Sequence, residues 1–258
     1  MTPSIESSII WNGATPIQDF TKTTAYPLEI KVKGQPIPVY VYMTPYTADE
    51  LKSVLKSATS GYRREKRDVE IVREDRQIYT VLCESHFVKL GNASGTPDEQ
   101  RAFLDRYPEI KPSIVEFGFG GLQLEQVDRP EVADVLDISV ELSESVRCFQ
   151  DIYDPVTDKV VRVTFVHNHK HPTEGQYRTY RGARRNKFIS TKTLWTVTEQ
   201  HNTLEKLYDD VIESIDGACA NGIPCDFVLK TEWLRDVPLW HKLFVVDQIF
   251  GELIEKNA

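Results

Sequence analysis

The sequence predicts an α+β fold of two tandem related units, each an antiparallel β-hairpin packed against about three helices. Three observations predict it. The first is a pair of period-two runs on either side of a turn, seen twice. Leu28, Ile30 and Val32 pair with Ile37, Val39 and Val41 around Lys33-Gly-Gln. Val146, Cys148 and Ile152 pair with Val161, Val163 and Phe165 around Asp154-Pro-Val-Thr-Asp. Alternation broken by Gly or Pro is a hairpin signal. The second is the helix start after each hairpin: Thr47-x-x-Glu50 and Thr173-x-x-Gln176. In such a capping box the Thr hydroxyl and the acid or amide side chain serve each other's backbone amides. The third is spacing. Thr47 and Thr173 are as far apart as Gly91 and Gly217. Pro108 and Pro238 are as far apart as Gly121 and Gly251, by a slightly longer interval. A duplicated unit with one insertion produces that pattern.

The elements run in order. Residues 1–25 are rich in Ser, Thr and Pro, and read as an arm in which Ile9, Ile10 and Trp11 are apolar enough to dock on a partner. The first unit spans 26–122. After its capped helix comes a basic joint, Gly61-Tyr-Arg-Arg-Glu-Lys-Arg. From Asp68 the apolar spacing predicts one long helix stopped by Gly91. A short helix starts at Pro97, with Asp98 and Glu99 in its first turn as the helix dipole favours. Residues 123–144 read as an acidic linker. The second unit, 145–258, repeats the order: a basic joint at Gly182-Ala-Arg-Arg, a long helix through Leu204, Leu207, Tyr208, Val211 and Ile215 stopped by Gly217, and a loop with Cys219 and Cys225.

Composition narrows the function. A net charge of -8 gives no bulk attraction to nucleic acid or anionic membrane. No apolar run is long enough to span a bilayer, and the first residues lack the basic and apolar regions of a signal peptide. Four cysteines without a CxxC pair read as reduced, buried thiols of a cytoplasmic protein.

The candidate chemistry is sparse. On a strand, His167, His169 and His171 would share a face, as a zinc site needs, but His171 precedes Pro172 where the strand ends. The first unit has Tyr42, Thr44 and Tyr46 at the matching place. The bland reading is polar residues leaving a strand, and no metal or cofactor is predicted. Tyr177, Arg178, Arg181 and Arg185 lie on a basic, aromatic helix, the three arginines on one face. That face could meet phosphates, with tyrosines stacking on bases, or an acidic partner. Tyr79 and Tyr208 read as core aromatics with hydroxyls at the rim. Phe117-Gly-Phe-Gly-Gly lacks the spacing of a phosphate loop, and GxSxG, Walker and HExxH motifs are missing. The reading is a non-enzymatic protein.

One stretch resembles a family. Pro38-Val-Tyr-Val-Tyr-Met-Thr-Pro-Tyr-Thr-Ala-Asp-Glu-Leu, a strand leading into a Thr-x-x-Glu helix start, is similar to the tail assembly chaperones of tailed bacteriophages. The resemblance covers roughly residues 28–122. Val161-Arg-Val-Thr-Phe and the later Pro172-Thr-Glu would be a second copy. The resemblance implies a protein that binds another phage protein, the tape-measure protein or a tail component, in the bacterial cytoplasm. Two alternatives stay open: a permanent structural or adaptor component of the virion, and a nucleic-acid-binding regulatory module using the arginine face. Self-association is also left open.

Overall fold

The two alternating runs form the centre of the molecule. In the computed structural model, which describes residues 6–58, 61–65, 68–72, 77–119, 121–125, 144–184 and 198–255, each becomes a hairpin. The first half contains β1 (Ile9–Asn12), β2 (Thr15–Asp19), β3 (Thr24–Val32), β4 (Gln35–Met43) and α1 (Ala48–Ala58). It continues with β5 (Gly61–Glu65), β6 (Asp68–Val72), α2 (Gln77–His86), β7 (Phe87–Leu90), α3 (Pro97–Arg106) and α4 (Ile110–Phe119). β8 (Gln123–Leu124) precedes the second half: β9 (Glu144–Asp154), β10 (Lys159–His169), α5 (Glu174–Arg184), α6 (Thr198–Val211) and β11 (Ile212–Asp216). β12 (Ala218–Ala220), β13 (Ile223–Pro224), α7 (Lys230–Trp233), a 3-10 turn at Leu234–Asp236 and α8 (Leu239–Glu255) close the chain.

The α+β class is as the patterning predicts. The main sheet runs β7-β4-β3-β9-β10-β11, antiparallel throughout, with β8 added on β9. From the centre outward, either direction meets the first hairpin strand, the second, then the strand that comes after the half's second helix. Along β9 and β10 alternate residues face inward. Cys148, Ile152, Val163, Phe165 and His167 are buried, while Phe149, Tyr153 and Thr164 on the other face are only half-buried. Tyr40 and Tyr153 stack with centroids 4.0 Å apart and join the hairpins on that second face.

The two halves are not separate bodies. They share the sheet, and the buried residues of both belong to one hydrophobic cluster. Lys52 of α1 also pairs with Glu205 of α6 at 2.7 Å. Of the expected acidic linker, Gln123–Leu124 is strand β8, and residues 126–143 lie outside the described residues.

Both capping boxes are present. Thr47 N–H donates to Glu50 at 2.8 Å and Glu50 N–H to Thr47 Oγ1 at 3.3 Å. Thr173 N–H donates to Gln176 at 2.8 Å and Gln176 N–H to Thr173 Oγ1 at 3.3 Å. Thr96 and Glu99 make a third box at the start of α3.

Four expectations are corrected. The N-terminal arm is a hairpin whose strand β2 pairs in parallel with β12, so it is ordered within its own chain. Asp68 does not start a long helix: 68–72 is a strand paired with 61–65, and among the described residues from 68 to 91 only 77–86 is helical. Val69 and Ile71 alternate with Asp68 and Glu70, and period two prevails there. Gly91 and Gly217 do not stop helices either. α2 and α6 run straight into β7 and β11, and the glycines come after those strands. Each is required by close approach. A Cβ on Gly91 would sit 2.7 Å from Tyr42 Cε2, and one on Gly217, at φ +86°, would collide with the Thr164 carbonyl. Finally, Gly182 lies within α5 and Gly251 within α8 rather than at joints or ends.

Candidate functional site

Ile9, Ile10 and Trp11 lie on β1, the outer strand of the small sheet β1-β2-β12-β13. Ile9 is buried in the core; Ile10, on the other face of the strand, is 43% exposed, and Trp11, on the face of Ile9, is 42% exposed. The strand is latched by Asp154, at the end of β9. Its carboxylate accepts from Ser7 Oγ (2.9 Å), Trp11 Nε1 (3.1 Å), Val156 N–H (3.1 Å) and Thr157 Oγ1 (2.9 Å). Burial pushes this carboxyl's pKa up, but the four donors outweigh it and hold it below the usual range. One buried anion thus fixes both the arm and the β9–β10 turn. Val156 in that turn is 78% exposed and Val160 beyond it 46%, so the latch joins two segments that each carry exposed apolar side chains.

The arginine face is divided by the structure. On α5, Arg178 and Arg181 are exposed, and Arg178 pairs with Glu174 one turn away at 2.5 Å. Arg185 lies outside the described residues. Tyr177 and Tyr180 pack on Phe250 of α8, with centroids 5.2 and 5.3 Å away. Tyr180 donates to Asp247 at 3.0 Å, and Arg184 pairs with the same carboxylate. The tyrosines therefore anchor α5 to α8 instead of presenting open rings for stacking.

The three histidines do not converge. His167 and His169 are buried in the sheet, which corrects the view that they leave the strand, while His171 points out; Glu144 stands 2.9 Å from His171 and 3.7 Å from His169. His167 Nδ1 is 3.0 Å from the Tyr208 hydroxyl, which is fully inside rather than at the rim. Burial, then the neighbouring His241 and His169, drive the His167 pKa well down, so the ring is neutral. Among the described residues no three His, Cys, Asp or Glu side chains stand where they could share a metal ion. All four cysteines are buried and unpaired. Burial pushes Cys148 and Cys225 up to about 12, so their thiols stay protonated.

Two features carry no motif. Lys242 of α8 is 2% exposed and pairs with Asp209 of α6 at 2.8 Å. Lys111 of α4 is likewise buried, between Glu84 of α2 and Asp105 of α3. A cavity of about 450 Å³ also opens where the start of α1 meets the start of α8, floored by Gln18, Thr24 and Gln150. No local signal announces either, because each is assembled from distant segments.

No family model, curated protein or solved structure matches the chain. Among the described residues no helix is long and apolar enough to cross a membrane.

Proposed function

We propose that this chain is a non-enzymatic protein of tailed-phage assembly that acts by holding another protein of the particle, as tail assembly chaperones do. The observation that carries the reading is the set of exposed apolar side chains on β1 and around the β9–β10 turn that Asp154 latches to it. Ile10, Trp11, Val156 and Val160 stay exposed, and Asp154 accepts hydrogen bonds from both segments that carry them. β1 is also a sheet edge, whose outward backbone groups can pair with an added strand. Exposed apolar clusters on a sheet edge are contact sites more often than accidents.

The test is affinity capture of the tagged protein from phage-producing cells, with mass spectrometry of the capture and of purified particles. Recovery of a tape-measure or tail component, with the chain missing from particles, is expected. The doubly substituted Ile10→Asp, Val156→Asp chain, folded by circular dichroism, is expected to lose that partner. A fixed copy number in particles would instead establish a permanent virion component, and capture of nucleic acid alone would move the contact to α5.

A further inference from the structure

Several strand edges of this molecule are closed by its own side chains and loops. Along β7, Gln100 accepts from the Leu90 N–H at 2.7 Å and donates to the Leu90 carbonyl at 3.2 Å, while Arg101 donates to the Phe87 carbonyl at 3.2 Å. Beside it on β4, Asn92 accepts from the Tyr40 N–H at 3.1 Å and donates to the Pro38 carbonyl at 2.9 Å. At β11 the Ile215 N–H donates to the Cys225 carbonyl at 2.8 Å, and β13 ends in Pro224, which has no N–H. Such devices keep a sheet from adding a further strand.

The edge of β1 is treated differently. Asp19 N–H donates to the Ser8 carbonyl at 2.8 Å, and bonded and unbonded pairs alternate along an antiparallel ladder. Ser8, Ile10 and Asn12 therefore turn their backbone groups to β2, and Ile9 and Trp11 turn theirs outward. Ser7 Oγ takes the Ile9 N–H at 3.0 Å. Among the described residues nothing takes the Ile9 carbonyl or the N–H and carbonyl of Trp11. No proline or lysine interrupts the strand, and residues 7–18 carry no charge. Glu6 just before them is paired with Lys22 at 2.5 Å, and Asp154 is enclosed by its donors. Two copies of this edge can thus meet without like charges opposed, although the whole chain carries -8.

A free backbone edge selects its occupant by geometry, because an extended strand offers donors and acceptors at the matching spacing. A two-fold axis at Ile10 supplies such a strand from the same sequence. Ile9 of each copy then stands opposite Trp11 of the other as a bonded pair. The two Ile10 side chains meet in the close, unbonded pair between them. We propose that β1 pairs antiparallel with β1 of a second copy, joining the two small sheets into one. Self-pairing uses the surface proposed above as the contact with a particle protein, and rests on reading that surface as a contact site; it covers the edge until that protein displaces it.

Sedimentation of the purified full chain over a range of concentrations tests this, with exchange of the Trp11 amide followed by NMR. A reversible dimer with a Kd of about 10–100 μM is expected, as suits a contact smaller than permanent interfaces. The Trp11 amide should exchange about tenfold more slowly where the dimer dominates, while the Ile10 amide, bonded to β2 in both states, should not change. Ile10→Lys, a charge on the edge, is expected to weaken the dimer about tenfold or more. Val81→Lys, at an exposed apolar residue of α2, should leave it unchanged. A parent that stays monomeric up to about 1 mM overturns the proposal. So does a dimer in which Trp11 exchange is unaltered, a result that decides even where Ile10→Lys does not fold. The capture from phage-producing cells reads the other contact. A particle protein captured by a chain that is monomeric when purified overturns self-pairing alone, and a dimer that captures no particle protein overturns the assembly reading alone.

Discussion

Asp154 shows how much one residue can organise. Its carboxylate is fully buried and accepts four hydrogen bonds, two from the distant N-terminal segment and two from its own turn. Replacing it with Ala leaves those donors unserved, and about 2–3 kcal/mol should be lost in urea unfolding, since bonds to a charged group are the strong ones. Trp11 emission should shift to the red as β1 loosens. The pH dependence has a definite sign. A carboxyl with a depressed folded pKa contributes stability above its unfolded value near 4, and loses it as pH falls through the folded one. The parent should therefore lose this contribution in acid, and Asp154→Ala should not. The sequence contained half of this feature. Asp154-Pro-Val-Thr reads as a turn, with Asp suited to serve amides two residues on, but nothing local says that Trp11 arrives as well.

At the scale of elements, the helix starts were the most legible part of the chain. A capping box is a four-residue device and needs no tertiary context. Thr47→Ala and Thr173→Ala should each cost about 1 kcal/mol, and the double substitution should cost their sum, because the two boxes share no partner. Chemical denaturation of the three variants checks this, and a strongly non-additive result would mean that the helix starts are coupled through the sheet. Helix ends were the least legible. Val211-Ile212 passes from helix to strand without a Gly or Pro. There the competing hydrogen-bond partner is β10, a segment distant in sequence, and it decides where the helix stops. The N-terminal hairpin was legible in part, since Asn12-Gly13 after Ile9, Ile10 and Trp11 is a turn signal. Its Ser and Thr content draws attention away from it.

At the scale of the molecule, the core holds neutral histidines. His167 and His241 are buried with rings 6.2 Å apart, and burial lowers both pKa values. In the unfolded chain each takes up a proton near pH 6.5. Between that value and the folded one the unfolded state binds more protons, so stability falls as pH falls. From His241 alone, with a folded pKa of about 3, the loss at pH 5 is about 2 kcal/mol relative to neutral pH. Urea unfolding at pH 7.5 and pH 5 should show at least that decrease, and His241→Gln should make the slope shallower. A pH-independent parent would mean that these rings are hydrated in the folded state.

The sequence by itself determined the hairpins, their capped helices and the repeated order, because side-chain period, turn residues and capping are local physics. It also determined that the cysteines would be buried, since small apolar thiols without pairing motifs go inside. Only the tertiary structure decided which faces remain open. It turned Tyr177 and Tyr180 onto α8 while leaving Trp11 half in solvent. It merged two expected units into one sheet, and it brought Gln18, Gln150 and His241 to one cavity. Those outcomes rest on contacts between residues far apart in the chain. Such contacts are chosen by competition among all the surfaces that could be buried, and no window of sequence contains that competition.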